Sequence, residues 1–316
     1  MERIVRHRYW WFALSLLIIV PGAISLALYG LQRGIDFSGG SLWDIRFLER
    51  SSEQLNTDQI AQVFAPQGFE GALVQLSSEK TSDGKTVPAV LVRTKAATPA
   101  QQQQVLEALQ GKFGKVERVQ VQSVGETVSA ESTRSAVIAV LGACVAILVY
   151  LTLAFRRAPH PVRYGICALL AMLHDVLVVV GVASILGVLI GLEVDALFLT
   201  ALLTVISFSV HDTIVVFDRI RENLIGRRSG ETFDDIVNHS IVQTLPRSIN
   251  TQLTSLFTLT ALLLFGGQSI QHFVLILLIG LISGTYSSIF NASQLLVVWE
   301  NREWQRWFGR GEVATA

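Results

Sequence analysis

Charge is scarce in this sequence. Asp, Glu, Lys and Arg together supply 16% of its 316 residues, against about 25% in an average soluble domain. With 51% of the residues hydrophobic, that shortfall excludes both a disordered chain and an ordinary water-soluble domain. Charge of one sign is not in excess either, because 25 basic residues balance 25 acidic ones. A nucleic-acid binder normally carries a basic face, so none is expected. Cysteine is nearly absent: Cys144 and Cys167 both lie in apolar runs, where neither a disulfide framework nor a four-ligand zinc site can be assembled. They read as small core residues. The chain has no Walker-type phosphate loop and no Gly-x-Gly-x-x-Gly after a strand, so no nucleotide energy source is visible. Two glycosylation-type triplets, Asn238-His239-Ser240 and Asn291-Ala292-Ser293, fall in a predicted cytoplasmic segment and a predicted span and read as chance.

What the sequence does have is long apolar runs. Residues 136–153, 197–209 and 273–283 contain no charged side chain. Six spans are predicted, at about 10–29, 135–155, 164–190, 196–217, 248–265 and 272–299. The first is about 20 residues long, enough at 1.5 Å per residue to cross a ~30 Å hydrocarbon core. It exceeds the ~7–15 residues of a signal-peptide apolar region and reads as a retained anchor. Arginines then set the orientation. Arg3, Arg6 and Arg8, Arg156, Arg157 and Arg163, Arg219, Arg221, Arg227 and Arg228, and Arg302, Arg306 and Arg310 all fall on the side of the N-terminus. The opposite short loops, around 193–195 and 266–271, have no Lys or Arg. Both termini are expected in the cytoplasm and residues ~34–134 outside.

That exported stretch reads as β-α-β-β-α-β. Residues 41–47 alternate Leu42, Asp44 and Arg46 with Trp43, Ile45 and Phe47, the period of a half-buried strand. Asn56 or Thr57 caps a helix carrying Ile60, Val63 and Phe64 that ends near Gly68. Strands at 72–76 and 89–93 form a hairpin, and Thr98-Pro99 opens a helix presenting Val105, Leu106, Leu109 and Phe113. A last strand covers 116–124. This is the order of a ferredoxin-like sheet with two helices on one face; a small α+β domain of other topology fits the sequence equally well.

Ionisable groups inside a span cost ~2.5–3.5 kcal/mol each and mark functional sites. Asp175 lies midway along the third span and Asp212 in the cytoplasmic half of the fourth, each preceded by histidine, His174 and His211. Arg247 opens the fifth span, where it either pairs with an aspartate or snorkels to the headgroups. Arg247, Thr251, Thr254, Ser255 and Thr258 recur at spacings of three and four, one cation and a ladder of hydroxyls on one helix face. Such hydroxyls either bind helices together or, with an opposed aspartate, hold water and relay protons. Metal or nucleophilic catalysis lacks the further ligands or bases it would need, so no enzyme is expected. Gly280 and Gly284, followed by Ser287 and Ser288, let the sixth helix approach a neighbour closely, and Gly39-Gly40 reads as a bend out of the first span.

Four stretches resemble the SecF branch of the SecD/SecF protein-export family. They are Gly34-Ile-Asp-Phe-Ser-Gly-Gly40, Phe208-Ser-Val-His-Asp-Thr-Ile-Val-Val-Phe-Asp-Arg-Ile-Arg-Glu-Asn223, Ser248-Ile-Asn-Thr-Gln-Leu-Thr254 and Ser283-Gly-Thr-Tyr-Ser-Ser-Ile-Phe290. The resemblance implies an α-helical polytopic membrane protein with six transmembrane helices, half of an RND-type transporter, plus a small ferredoxin-like α+β external domain. It implies a division into residues 1–33 (N-terminus and first span), 34–134 (external domain), 135–299 (five spans with a cytoplasmic loop at 218–247) and 300–316 (tail). The implied partners are a SecD-like six-span subunit, the SecYEG translocon, exported preproteins and the bilayer. The implied work is late-stage translocation driven by the proton-motive force, with no cofactor beyond protons, sodium remaining open. Asp212, Arg247 and Thr251 are the proton-relay residues that the resemblance carries over; Asp175, His211, Thr254 and Ser255 are accessory candidates. A passive translocon clamp and an RND-type exporter of small molecules or lipids are the competing readings.

Overall fold

The computed structural model describes residues 4–49, 54–80, 86–156, 158–303 and 305. Arg3, Arg157, Arg306 and Arg310, used above for orientation, lie outside them. Two compact units emerge, one of residues 33–137 and one of residues 1–32 with 138–316.

The smaller unit follows the expected order. After a short helix α2 (Ile35–Ser38) come β1 (Gly40–Phe47), α3 (Thr57–Phe64), β2 (Leu73–Lys80), β3 (Thr86–Thr94), α4 (Pro99–Phe113) and β4 (Val116–Val124). The strands lie in the order β2-β3-β1-β4 and every neighbouring pair is antiparallel, which is the ferredoxin-like arrangement. Caps define the helices: the Asn56 side chain accepts from the amides of Asp58 and Gln59, and Thr98 with Gln101 closes a capping box ahead of Pro99. Trp43, Ile45 and Phe47 of β1 turn inward onto Ile60, Phe64, Val105 and Leu109. Trp43 meets Phe64 edge-on at 5.3 Å, and its Nε1 donates to Thr94 Oγ1 at 2.9 Å. A bulge alters the fourth strand. Pairing passes from Asp44 opposite Gln120 to Ile45 opposite Arg118, so one extra residue is accommodated in β4. Strict alternation puts Val116 and Val121 on opposite faces; the bulge resets the phase and lets both join the core. Gly40 is required where it stands, because its φ of +114° is a left-handed value and an added Cβ would meet Thr94 O at 2.4 Å.

Among the described residues, six helices are long and apolar enough to cross a membrane. They are α1 (Arg8–Tyr29, continuing a short 3-10 turn), α5 (Glu126–Ala154), α6 (Pro161–Ile190), α7 (Ala196–Ile225), α8 (Phe233–Phe265) and α9 (Gln268–Ser287), which one turn of π-helix (Ser288–Ala292) joins to α10 (Ser293–Glu300). Two boundaries differ from expectation. The predicted 218–247 loop is mostly helix: α7 runs on to Ile225, and α8 starts at Phe233, behind a Thr232/Asp235 capping box. Its first half is amphipathic, burying Ile236, Val237, Ser240, Ile241, Thr244 and Ser248, and mixed polarity of this kind lowers the hydropathy that marks a span. Pro246 sits inside α8 and is tolerated there as prolines are in membrane helices.

α1 and α6 cross at glycine. A Cβ on Gly22 would lie 2.7 Å from the Cα of Gly181, and the reverse holds at 2.8 Å. One turn further along, Ser25 Oγ and Ser184 Oγ are 2.9 Å apart. At the other end Arg8 gathers the termini of three helices. It pairs with Asp234 at 3.1 Å and, through two nitrogens, with Glu303, to which Tyr9 Oη also donates at 2.7 Å. Burial alone would raise the Glu303 carboxyl, but the hydrogen bonds from Arg8 and Tyr9 and the Arg8 charge outweigh it, so the group lies below its ordinary 4.5.

Two outcomes are expected. Gly22→Ala should destabilise the detergent-solubilised protein by about 1–3 kcal/mol through overpacking, whereas Gly142→Ala, with open space around its Cβ, should be neutral; SDS titration measures both. Because the folded Glu303 carboxyl is depressed, its contribution is full above the unfolded value and is lost as pH falls through the folded one. Glu303→Gln should therefore lower the melting temperature at pH 7, and the gap to the parent should close on acidification below about pH 4.

Candidate functional site

Two carboxylates lie inside the helical unit, and the surrounding helices treat them differently. Asp175 of α6 is fully buried. Its Oδ2 accepts from Ser209 Oγ of α7 and Ser287 Oγ of α9, both at 2.6 Å. Its Oδ1 accepts from Ser283 Oγ at 2.6 Å and from His174 Nδ1 at 3.1 Å. Four donors fill the lone-pair positions of a carboxylate, and short O–H···O⁻ contacts are among the stronger hydrogen bonds. Serine reaches so far only because α9 lies close. An added Cβ on Gly280 would fall 2.1 Å from Val205 Cγ2, and one on Gly284 3.3 Å from Ser209 Cα. Ser283 and Ser287 share the face of those glycines, one turn apart. The π turn then places Ser288 Oγ 2.9 Å from Thr213 Oγ1 and 3.0 Å from the Ser209 carbonyl, to which it donates. His174 lies beside the Tyr286 ring, and its buried Nε2 has no partner among the described residues.

Asp212 of α7 is 3% exposed. Its Oδ2 accepts from Gln252 Nε2 of α8 at 2.5 Å. His211 Nδ1 stands 3.9 Å from Oδ1, beyond hydrogen-bond range, on a side chain that is 65% exposed. The relay residues expected with Asp212 lie elsewhere on α8. Arg247, Thr251, Thr254 and Thr258 are exposed and Ser255 is half-buried. The hydroxyls of Thr251, Thr254, Ser255 and Thr258 donate to carbonyls one turn back, those of Arg247, Asn250, Thr251 and Thr254, at 2.9–3.4 Å. Within this chain Asp212 is thus joined to Gln252 and flanked by His211, while Arg247 and Thr251 occupy another side of the same helix. Among the described residues, no three His, Cys, Asp or Glu side chains are grouped to hold a metal ion.

Sequence reasoning finds both aspartates but misses their partners. Ser209 and Gln252 are inconspicuous inside longer motifs, and Ser287 reads only as a close-packing residue. A usable signal exists: Ser209 and Thr213, and Ser283 and Ser287, repeat at four, the spacing of one helix face. The consequence for stability is testable. Asp175→Leu strands three serine hydroxyls and should cost about 3–5 kcal/mol, whereas Asp175→Asn, whose amide can reorganise the same hydroxyls, should cost about 1–2 kcal/mol. Unfolding of the purified protein in SDS measures the difference, and equal losses would refute the hydroxyl account.

Comparison with known proteins fixes the family. The family described as protein export membrane protein SecD/SecF, C-terminal, matches residues 104–302. The protein translocase subunit SecF of Thermobaculum terrenum is 51% identical over all of this chain and 99% of its own. SecF of Anaerolinea thermophila is 44% identical over 98% of both. Protein translocase subunit SecDF of Bacillus subtilis is 35% identical over 94% of this chain but 38% of its own length. Among solved structures, the translocon-associated SecDF of Thermus thermophilus superposes with a TM-score of 0.79 at 32% identity, over 94% of this chain and 38% of that one. By sequence and by fold, the chain belongs to the SecF family of protein translocase subunits.

Proposed function

We propose that this chain is the SecF-like half of an ion-coupled unit that works with a SecD-like six-span subunit and the SecYEG translocon, using the proton-motive force to draw preproteins across the cytoplasmic membrane late in export. One observation carries the reading. Along a helix of bilayer length, Arg247, Thr251, Thr254 and Thr258 form an exposed polar strip, on another side of the helix whose Gln252 holds the buried carboxylate of Asp212. A guanidinium held within hydrocarbon is not satisfied by lipid, and a neighbouring helix with an acidic group satisfies it. SecDF chains support this, since the part matching this chain is 38% of the Bacillus subtilis and Thermus proteins, and the rest of such a chain is where a second six-span half belongs. The Thermus SecDF is a translocon-associated membrane protein, which supports placement beside SecYEG.

An aspartate with one neutral donor, opposed by an arginine that a partner helix can bring nearer or take away, can exchange a proton as the helices move. Each proton crossing ~100 mV delivers about 2.3 kcal/mol, so many cycles are needed to move one long chain. The arginine distribution supports cytoplasmic termini and an external 34–134 domain; a sodium ion would suit the same carboxylate and hydroxyls. The test pairs two variants in export assays on inverted membrane vesicles. Asp212→Asn and Arg247→Met should each remove the uncoupler-sensitive part of translocation while co-purification with the SecD-like subunit persists. Uncoupler-sensitive export at the parent level in both variants would refute proton coupling and leave a passive clamp.

A further inference from the structure

The buried side of α8 carries a second polar row that the exposed strip conceals. Ser240, Thr244, Ser248 and Gln252 recur every four residues, so they stack along one line of the helix. Ser240, Thr244 and Ser248 are 0%, 7% and 2% exposed. At one end of the row, Gln252 holds Asp212. Toward the other end, Asn223 Nδ2 donates to Ser240 Oγ at 2.8 Å, and Asn223 lines an open cleft of about 920 Å³, together with Glu222, Ile236 and His239. A polar row alone would be packing, but this one contains atoms that the protein leaves unsatisfied. Ser248 Oγ and Gln252 Oε1 are buried without a hydrogen-bond partner, and so are both amide atoms of Gln294, which is fully buried on α10, a helix packed on α8. Buried polar atoms are rarely left so unless water serves them.

The spacing fits that service. Four residues of helix advance about 6 Å, too far for one hydroxyl to reach the next and close to the span of two ~2.8 Å hydrogen bonds through a single water. We infer that Thr244, Ser248 and Gln252, with Gln294 on the adjoining α10, hold a file of ordered water that connects Asp212 to the cleft and is the proton's route between the carboxyl and the cytoplasm. Gln252 is the positioning residue: its N–H fixes Asp212, and its carbonyl oxygen accepts from the first water. In the outward-to-inward direction the Asp212 O–H bond breaks as that water gains the proton. Each water then passes one of its own protons toward the cleft, and Asp212 is left as a carboxylate facing the Gln252 amide. The inference rests on the proton-coupled reading above.

The test uses this chain purified with its SecD-like subunit and reconstituted in vesicles carrying a pH-sensitive dye. Under an imposed proton gradient, Ser248→Leu and Gln252→Leu should slow proton flux at least about tenfold, and Ser248→Thr, which keeps the hydroxyl, should stay within about twofold of the parent. Hydroxyl-radical footprinting supplies a readout independent of flux. A thiol introduced by Ser248→Cys should be oxidised much faster than one introduced by Ile241→Cys, a fully buried apolar position on the same helix. Parent-level flux in both leucine variants while Asp212→Asn abolishes it would overturn the water file and leave proton coupling standing. Equal oxidation at the two positions would overturn it as well. Unchanged flux in Asp212→Asn would refute proton coupling itself, and the file with it.

Discussion

The helical unit is organised by the need to keep one carboxylate inside hydrocarbon. An ionised side chain at that depth is tolerated only if its lone pairs are met by donors within the protein, and Asp175 meets the condition with three serine hydroxyls and a histidine from α6, α7 and α9. Serine is short, so the donors dictate the interhelical distance, and that distance dictates glycine at 280 and 284 where Val205 and Ser209 press against α9. The π turn follows from the same geometry. By inserting one residue's worth of rotation at Ser288–Ala292, it carries the serine face of α9 on toward Ser209 and Thr213 and turns Asn291 to Ser15 of α1, to which it donates at 2.9 Å. The Asp175 carboxyl thus ties α6, α7 and α9 together, and the π turn beyond it adds α1 through Asn291 and Ser15.

Asp212 shows what happens when the same chemistry is less complete. It stands one helical turn beyond Ser209 but receives one amide donor, from a different helix, and its histidine faces outward. Four donors from three helices hold the carboxyl oxygens of Asp175, and a single neutral amide holds that of Asp212. The two His-Asp pairs look alike in sequence and differ in the number of serines brought to them.

How far the sequence could be read depended on the range of the interactions. Elements set by their own periodicity were legible: the spans as apolar runs, β1 from its alternation, α3 and α4 from Asn56 and Thr98 with Pro99. Features set by contacts between distant segments were not. The bulge in β4 depends on how Ile45 and Asp44 pair across strands, and the Asp175 cluster joins residues 34 to 112 positions apart. The first half of α8 fell between these cases. Its Ser240, Thr244 and Ser248 lowered the apolar signal although they are buried, because hydropathy records what a side chain is and not whether a neighbouring helix covers it.

α8 is therefore two structures on one axis. All its fully buried residues lie between Ile236 and Ser248, packed among α7, α9 and α10, while from Ile249 onward it is largely uncovered by the rest of the chain. An uncovered apolar half-helix needs only lipid. The uncovered half instead carries Asn250, Thr251, Thr254 and Thr258, with the exposed Arg247 just before it, and the hydroxyls turn back to carbonyls of their own helix, which a guanidinium cannot do. The half that is anchored contacts the fixed block built on Asp175, and the half that is free faces whatever completes the bilayer-spanning assembly. Asp212 meets α8 through Gln252, just past the join between the two halves, where the helix passes from the packed block to its uncovered stretch.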